Sequence, residues 1–230
     1  MTTSSPGLVV QNIALPLRLR DYRLIAFDMD STLINIECID EIAAAAGKKA
    51  EVAAITEAAM RGEITDFKES LRRRLALLRG VPVQALEQVY RERLRLNPGA
   101  HELLATVKAA GLATLLVSGG FTYFAERVQA TLGIDRSASN VLEVDDGRLT
   151  GRVTGDIVDG AEKQRQLLAF CAELGCPPQQ SIAVGDGAND LPMMGAAGLS
   201  VAYHAKPKVR AAAMVAIDSG GLDRLLEVFA

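Results

Sequence analysis

Asp28-Met29-Asp30 closes a short apolar run. In extended chain, residues two apart point to the same side, so both carboxylates can face one pocket while Phe27 and Met29 face the core. Two carboxylates in one small space repel each other and raise a pKa, unless a cation sits between them or one is protonated. Mg2+ meets that need, because it favours hard oxygen ligands and commonly uses one or two carboxylates with a substrate phosphate. Asp186, ending another apolar run, can supply a further ligand. A phosphoryl group also needs neutral donors and a point charge that hold its oxygens in line. Ser118-Gly119-Gly120 offers a hydroxyl and unshielded backbone N–H groups leading into a helix near Phe121, and Lys163 offers the charge. With an acceptor carboxylate at hand, a covalent aspartyl-phosphate divides hydrolysis into two easier steps.

Taken singly, each feature has a plainer use. A D-x-D after a strand serves as a turn or helix cap, Ser-Gly-Gly as a tight turn, and a helix-start lysine as a solvated charge. The conjunction is what points to chemistry. A calcium loop of the EF-hand kind is excluded: begun at Asp28 it has Leu33 where glycine is needed and Ile39 where glutamate is needed, and begun at Asp186 it fails at Ala188.

The elements that must position these residues follow from the apolar runs. Residues 23–27, 113–117 and 181–184 each read as a buried strand ending in a polar loop, the last two in Ser118-Gly119-Gly120 and Gly185-Asp186-Gly187. Helical patterns cover residues 100–110, 121–132, 162–174 and 190–197, and strand-like runs follow at 199–202 and 214–217. This alternation predicts an α/β fold with a doubly wound parallel sheet, whose polar loops meet beyond the carboxyl ends of the strands. Residues 37–96 break the alternation with helix-forming sequence interrupted at Gly47, Gly62 and Gly80-Val81-Pro82. They are expected to form an inserted helical cap domain on a core of residues 1–36 and 97–230. Residues 141–150 carry an Asp-Gly hairpin signal at Asp146-Gly147.

Hydrophobic residues make up 49% of the 230 and charged residues 23%, which suits a packed globular core rather than disorder. A net charge of -3 gives no basic field for nucleic acid or an anionic membrane. No apolar run is long enough to cross a bilayer, and residues 1–7 lack the basic start of a signal peptide. Three cysteines without a C-x-x-C pair fit a reducing, cytoplasmic setting better than a disulfide framework or zinc site. The Thr/Ser-rich start is expected to be loose. His101 and His204 lie outside every motif and receive no role.

Four motifs in order, Asp28-Met29-Asp30-Ser31-Thr32, Ser118-Gly119-Gly120, Lys163 and Gly185-Asp186-Gly187-Ala188-Asn189-Asp190, resemble the signatures of the haloacid dehalogenase-like phosphohydrolases. That resemblance implies Asp28 as nucleophile and Asp30 as the acid that protonates the leaving oxygen and then the base that activates water. It implies Mg2+ held by Asp28, the backbone carbonyl of Asp30 and Asp186. Ser118, Lys163 and Asn189 would contact phosphate or brace the site, with Asp190 behind them.

Residues 37–43, Glu37-Cys38-Ile39-Asp40-Glu41-Ile42-Ala43, and residues 67–74 further resemble the substrate-recognition segments of the phosphoserine phosphatases within that superfamily. By this likeness the substrate is O-phosphoserine, and the reaction the last step of serine biosynthesis. Glu37 would meet the ammonium and Arg74 the carboxylate, with Met60 and Phe67 as an apolar lid and Gly119 contributing backbone; opposite charges suit a zwitterion. Arg72 and Arg73 adjoin Arg74, and all three can also solvate a cap helix, just as Glu37 can serve a helix start. With the first motif already at Asp28, no amino-terminal regulatory domain is expected. Transfer of phosphate to another alcohol, such as homoserine, stays open. A phosphate-accepting receiver module is the rival from another class, and the cap argues against it, since a receiver needs no lid. Oligomeric state is not legible.

Overall fold

The computed structural model describes residues 3–60 and 63–230, the side chains of residues 3–5 and Met60 excepted. The strands are β1 (Thr3–Ser5), β2 (Leu8–Val10), β3 (Leu24–Phe27), β4 (Ala113–Phe121), β5 (Arg136–Asp145), β6 (Arg148–Thr154), β7 (Ser181–Gly185), β8 (Leu199–Tyr203) and β9 (Val215–Ile217). They form one mixed, mostly parallel sheet in the order β1-β2-β9-β8-β7-β3-β4-β5-β6. Helices α1 (Cys38–Ala45), α2 (Lys49–Met60), α3 (Phe67–Leu77) and α4 (Gln84–Glu92) are inserted between β3 and β4. The remaining helices, α5 (Ala100–Ala109), α6 (Thr122–Leu132), α7 (Gly160–Glu173), α8 (Leu191–Ala196) and α9 (Pro207–Ala212), cover the sheet.

The central strands are continuously apolar because both faces are buried. Along β3, Ile25 and Phe27 join one core with α5 and α6 residues such as Leu103 and Phe124, whereas Leu24 and Ala26 join a second with Leu167 of α7, Met193 of α8 and Val209 of α9. The alternation in β7 matches, with Ile182 and Val184 on the first side and Ala183 on the second. Side chains buried to this degree contribute about 1.5–3 kcal/mol each. β3 lies between β4 and β7, both parallel to it, with Phe27 opposite Leu116 and Val184. The segments that follow therefore emerge at one edge, and Asp28, Ser118 and Asp186 meet there.

Several boundaries differ from the sequence expectations. Ser118-Gly119-Gly120 is not a loop leading into a helix: β4 runs on to Phe121, pairing with Asn140 of β5 after a register shift, and α6 starts at Thr122. Thr3–Ser5 of the Thr/Ser-rich start pairs with β2, and β2 lies antiparallel to β9 with Leu8 and Val10 buried. The sheet is therefore mixed rather than wholly parallel. The hairpin is longer than its signal, turning on Asp146 and Gly147 at φ 45° and 70°, the two positive values its strand twist requires.

An antiparallel bridge between Ile34 and Leu96 draws together the two segments that enter and leave the helical insertion. Its apolar side, including Ile42, Val52, Leu71 and Val89, is continuous with the first core. The β5–β6 hairpin also supports the insertion from below: Gly80 N–H donates to Leu149 O, Leu149 N–H to Val81 O, and Val83 N–H to Gly147 O. Gly62, expected to break the cap, lies outside the described residues.

Candidate active site

Asp28 continues β3, its N–H donating to Val184 O at 2.9 Å. Its buried Oδ1 accepts from Lys163 Nζ at 2.5 Å. Lys163 reaches it from the first turn of α7, which starts where Asp159 Oδ1 accepts from Glu162 N–H. The same Nζ donates at 2.6 Å to Oδ1 of Asp190, a fully buried carboxylate whose Oδ2 accepts from the N–H groups of Asp186 and Gly187. Gly185 makes room for it, since a Cβ there would lie 2.5 Å from the Asp190 carboxyl carbon. Asn189 stands beside these residues in the one-turn segment between β7 and α8.

Carboxylate oxygens of Asp28, Asp186 and Asp190 lie within 4.8 Å of one another. Burial, then the charge of Asp190, raises the Asp28 carboxyl well above its ordinary value despite Lys163. The same two causes push Asp186 up to about 7. Burial by itself would lower the Lys163 ammonium, but Asp190 and Asp28 outweigh it and hold the proton.

Asp30 departs from the expectation that its carboxylate and that of Asp28 flank one cation. Its side chain is absent from the cluster and turns to the start of α1, where Cys38 N–H donates to Oδ2 and Cys38 Sγ–H to Oδ1, both at 3.1 Å. Burial, then Glu37, pushes it up to about 7 against those two bonds. Two donors on a neighbouring helix compete with a position in the cluster, and spacing along β3 carries no information about them.

Ser118 is fully buried, and its Oγ accepts from Gly120 N–H at 2.8 Å, so that N–H is not unshielded as expected. Gly119 O accepts from Asn140 Nδ2 at 2.8 Å, and Asn140 Oδ1 accepts from Val158 N–H at 2.9 Å. Asn140 thereby clamps β4 to the segment leading into α7. A Cβ on Gly120 would lie 3.2 Å from Asp30 Oδ2.

The helical insertion reaches this floor through Phe67, whose Cζ lies 3.0 Å from where a Cβ on Gly119 would be. Beside it, Lys68 Nζ pairs with Asp159 Oδ2 at 3.2 Å, linking α3 to the residue that caps α7. Glu37 is exposed at the start of α1 and accepts from Ser31 Oγ–H at 2.8 Å. Of the three arginines, Arg72 and Arg73 are exposed and Arg73 pairs with Glu69, whereas Arg74 is half-buried. Burial lowers the Arg74 guanidinium, while Asp40, Glu37 and Asp30 act to raise it, so it faces the acidic side of the site. The Met60 side chain lies outside the described residues. Asn140, Lys68 and Asp159 were not singled out by the sequence; their sole signals are a polar residue inside a strand and two ordinary surface charges.

The haloacid dehalogenase-like hydrolase family model matches residues 25–195. A phosphoserine phosphatase of Polaromonas sp. is 68% identical over 232 residues, covering 99% of this chain and 98% of that protein, and one of Albidiferax ferrireducens is 66% identical with the same coverage. A solved structure described as a phospho-aspartyl intermediate analogue of phosphoserine phosphatase has a TM-score of 0.85 and 38% identity, covering 91% of this chain and 99% of that one. A substrate-bound phosphoserine phosphatase complex matches to the same degree. With this identity over nearly the whole of both chains, and Asp28, Lys163, Asp186 and Asp190 gathered at one end of the sheet, the chain belongs to the phosphoserine phosphatases of the haloacid dehalogenase-like hydrolase family.

Proposed function

We propose that this chain hydrolyses O-phosphoserine to serine and phosphate, the closing step of serine biosynthesis, through a phosphorylated Asp28. The observation that carries the residue roles is the buried Asp28–Lys163–Asp190 network beside Asp186, under a lid whose Phe67 touches Gly119. A Asp28 carboxylate oxygen bonds to phosphorus as the serine Oγ–P bond breaks; its electron pair leaves on Oγ, which takes a proton from Asp30. In the second half-reaction Asp30 takes a proton from water, the water oxygen bonds to phosphorus, and the Asp28–phosphorus bond breaks to restore the carboxylate. Lys163 holds Asp28 in place and offsets phosphoryl charge together with Ser118 Oγ–H and Asn189. Glu37 receives the substrate ammonium and Arg74 its carboxylate.

The donor set suits Mg2+. Of the three carboxylates, Asp28 and Asp190 pair with the one ammonium of Lys163 and Asp186 does not, and the cluster offers hard oxygen with neither thiolate nor imidazole. Asp28, Asp186 and the backbone carbonyl of Asp30 would hold the ion, which when bound neutralises charge on the phosphoryl oxygens. The three buried free cysteines accord with a reducing cytoplasm, and among the described residues no helix is long and apolar enough to cross a membrane.

The test is Mg2+-dependent phosphate release from O-phosphoserine beside phosphothreonine, a sugar phosphate and p-nitrophenyl phosphate, each with Asp28→Asn as control. A marked preference for phosphoserine that Asp28→Asn abolishes supports the assignment. Activity confined to the other esters overturns the substrate, and full turnover by Asp28→Asn overturns the covalent scheme.

A further inference from the structure

Glu37 occupies the N-cap position of α1, yet its side chain caps no N–H of that helix. The carboxylate that does is Asp30, eight residues before Cys38 and three beyond the end of β3: Cys38 N–H donates to Oδ2 and Cys38 Sγ–H to Oδ1, each at 3.1 Å. Cys38 is itself fully buried in the first core beside Ile39 and Ile42 of the cap. Both oxygens of Asp30 are thus held by one cap residue, and a Cβ on Gly120 would lie 3.2 Å from Oδ2. A carboxylate gripped at two points has one orientation, where an ungripped side chain samples several rotamers.

We infer that Cys38 is a positioning residue for Asp30, its thiol fixing the carboxyl so that the proton passes to the leaving serine oxygen. The inference rests on the proposed role of Asp30 as that proton's donor. Glu37 precedes Cys38 directly, so seating the substrate ammonium on Glu37 and aiming Asp30 are accomplished by the same turn of α1. Misplacing a reacting group by about 1 Å costs on the order of 100-fold, so loss of the thiol donor, with the backbone N–H retained, is expected to slow proton transfer about 10- to 100-fold.

The experiment compares single-turnover release of serine from O-phosphoserine with release of p-nitrophenol from p-nitrophenyl phosphate, whose leaving group needs no proton. Cys38→Val keeps an apolar side chain of similar bulk without a donor, and Cys38→Ser keeps a donor. The expected result is serine release slowed in Cys38→Val at unchanged KM, p-nitrophenol release much less affected, and serine release recovered in Cys38→Ser. Equal slowing of both substrates in Cys38→Val would mark a merely structural role and overturn the inference, as would unchanged serine release. Asp30→Asn, run alongside, separates the two levels: if it too leaves serine release intact, the role of Asp30 fails, whereas if it blocks release and Cys38→Val does not, only the role of Cys38 fails.

Discussion

Replacing Lys163 by methionine removes one fully buried ammonium and both of its charge-assisted bonds, at 2.5 Å to Asp28 and 2.6 Å to Asp190. The two carboxylates do not suffer equally. Asp190 keeps the N–H groups of Asp186 and Gly187 on its other oxygen, so the uncompensated charge falls chiefly on Asp28. Breaking a buried ion pair by removing one partner costs about 3–5 kcal/mol. For a chain of this size that corresponds to a fall of roughly 6–20 °C in Tm, out of a total stability of about 5–15 kcal/mol. Urea unfolding at pH 7.5 with a chelator present, wild type against Lys163→Met, reads the difference. The Asp28 carboxyl is already raised above its ordinary value in the folded protein, and losing Lys163 raises it further. A raised carboxyl pKa means that the folded state binds the proton more tightly than the unfolded one. The deficit is therefore greatest above the folded value and shrinks as pH falls towards about 4, where unfolded carboxylates titrate. A loss under about 1 kcal/mol, or a deficit that widens with acid, would refute the reasoning that Lys163 offsets the charge of Asp28.

Two further outcomes test the lid and the substrate contact. Gly119→Ala places a methyl group about where Phe67 Cζ is 3.0 Å away, so kcat/KM for phosphoserine should drop, and Phe67→Leu in the same chain should restore part of it with a coupling of about 0.5–3 kcal/mol in a double-mutant cycle; strictly additive losses would show that the two residues do not meet in the working enzyme. Arg74→Ala should raise KM about 10- to 150-fold, the worth of a hydrogen bond to a charged group at about 1.5–3 kcal/mol, while Arg72→Ala and Arg73→Ala stay near wild type because those side chains are exposed; a larger effect at Arg73 would move the carboxylate contact there.

Local pattern carried the core of this protein. Apolar runs ending in Asp28, Ser118 and Asp186 announce strands whose ends lie together once they pair in parallel, and the helix-rich stretch between the first two announces an insertion. Such features are legible because strand burial and helix propensity act over a few residues. The partners of those residues are another matter. Lys163 meets Asp28 across 135 positions, and Asn140 holds Gly119 across 21, through side chains that no periodicity marks. The three consecutive arginines differ only by which side of α3 faces the site. The β1–β2 edge joins the sheet through β2 pairing with β9, a partner at the far end of the chain that local pattern does not mark. Spacing along β3 sends Asp30 towards the same pocket as Asp28, yet its carboxylate answers to two donors on α1, and only the packing of the cap against the core brings them within reach.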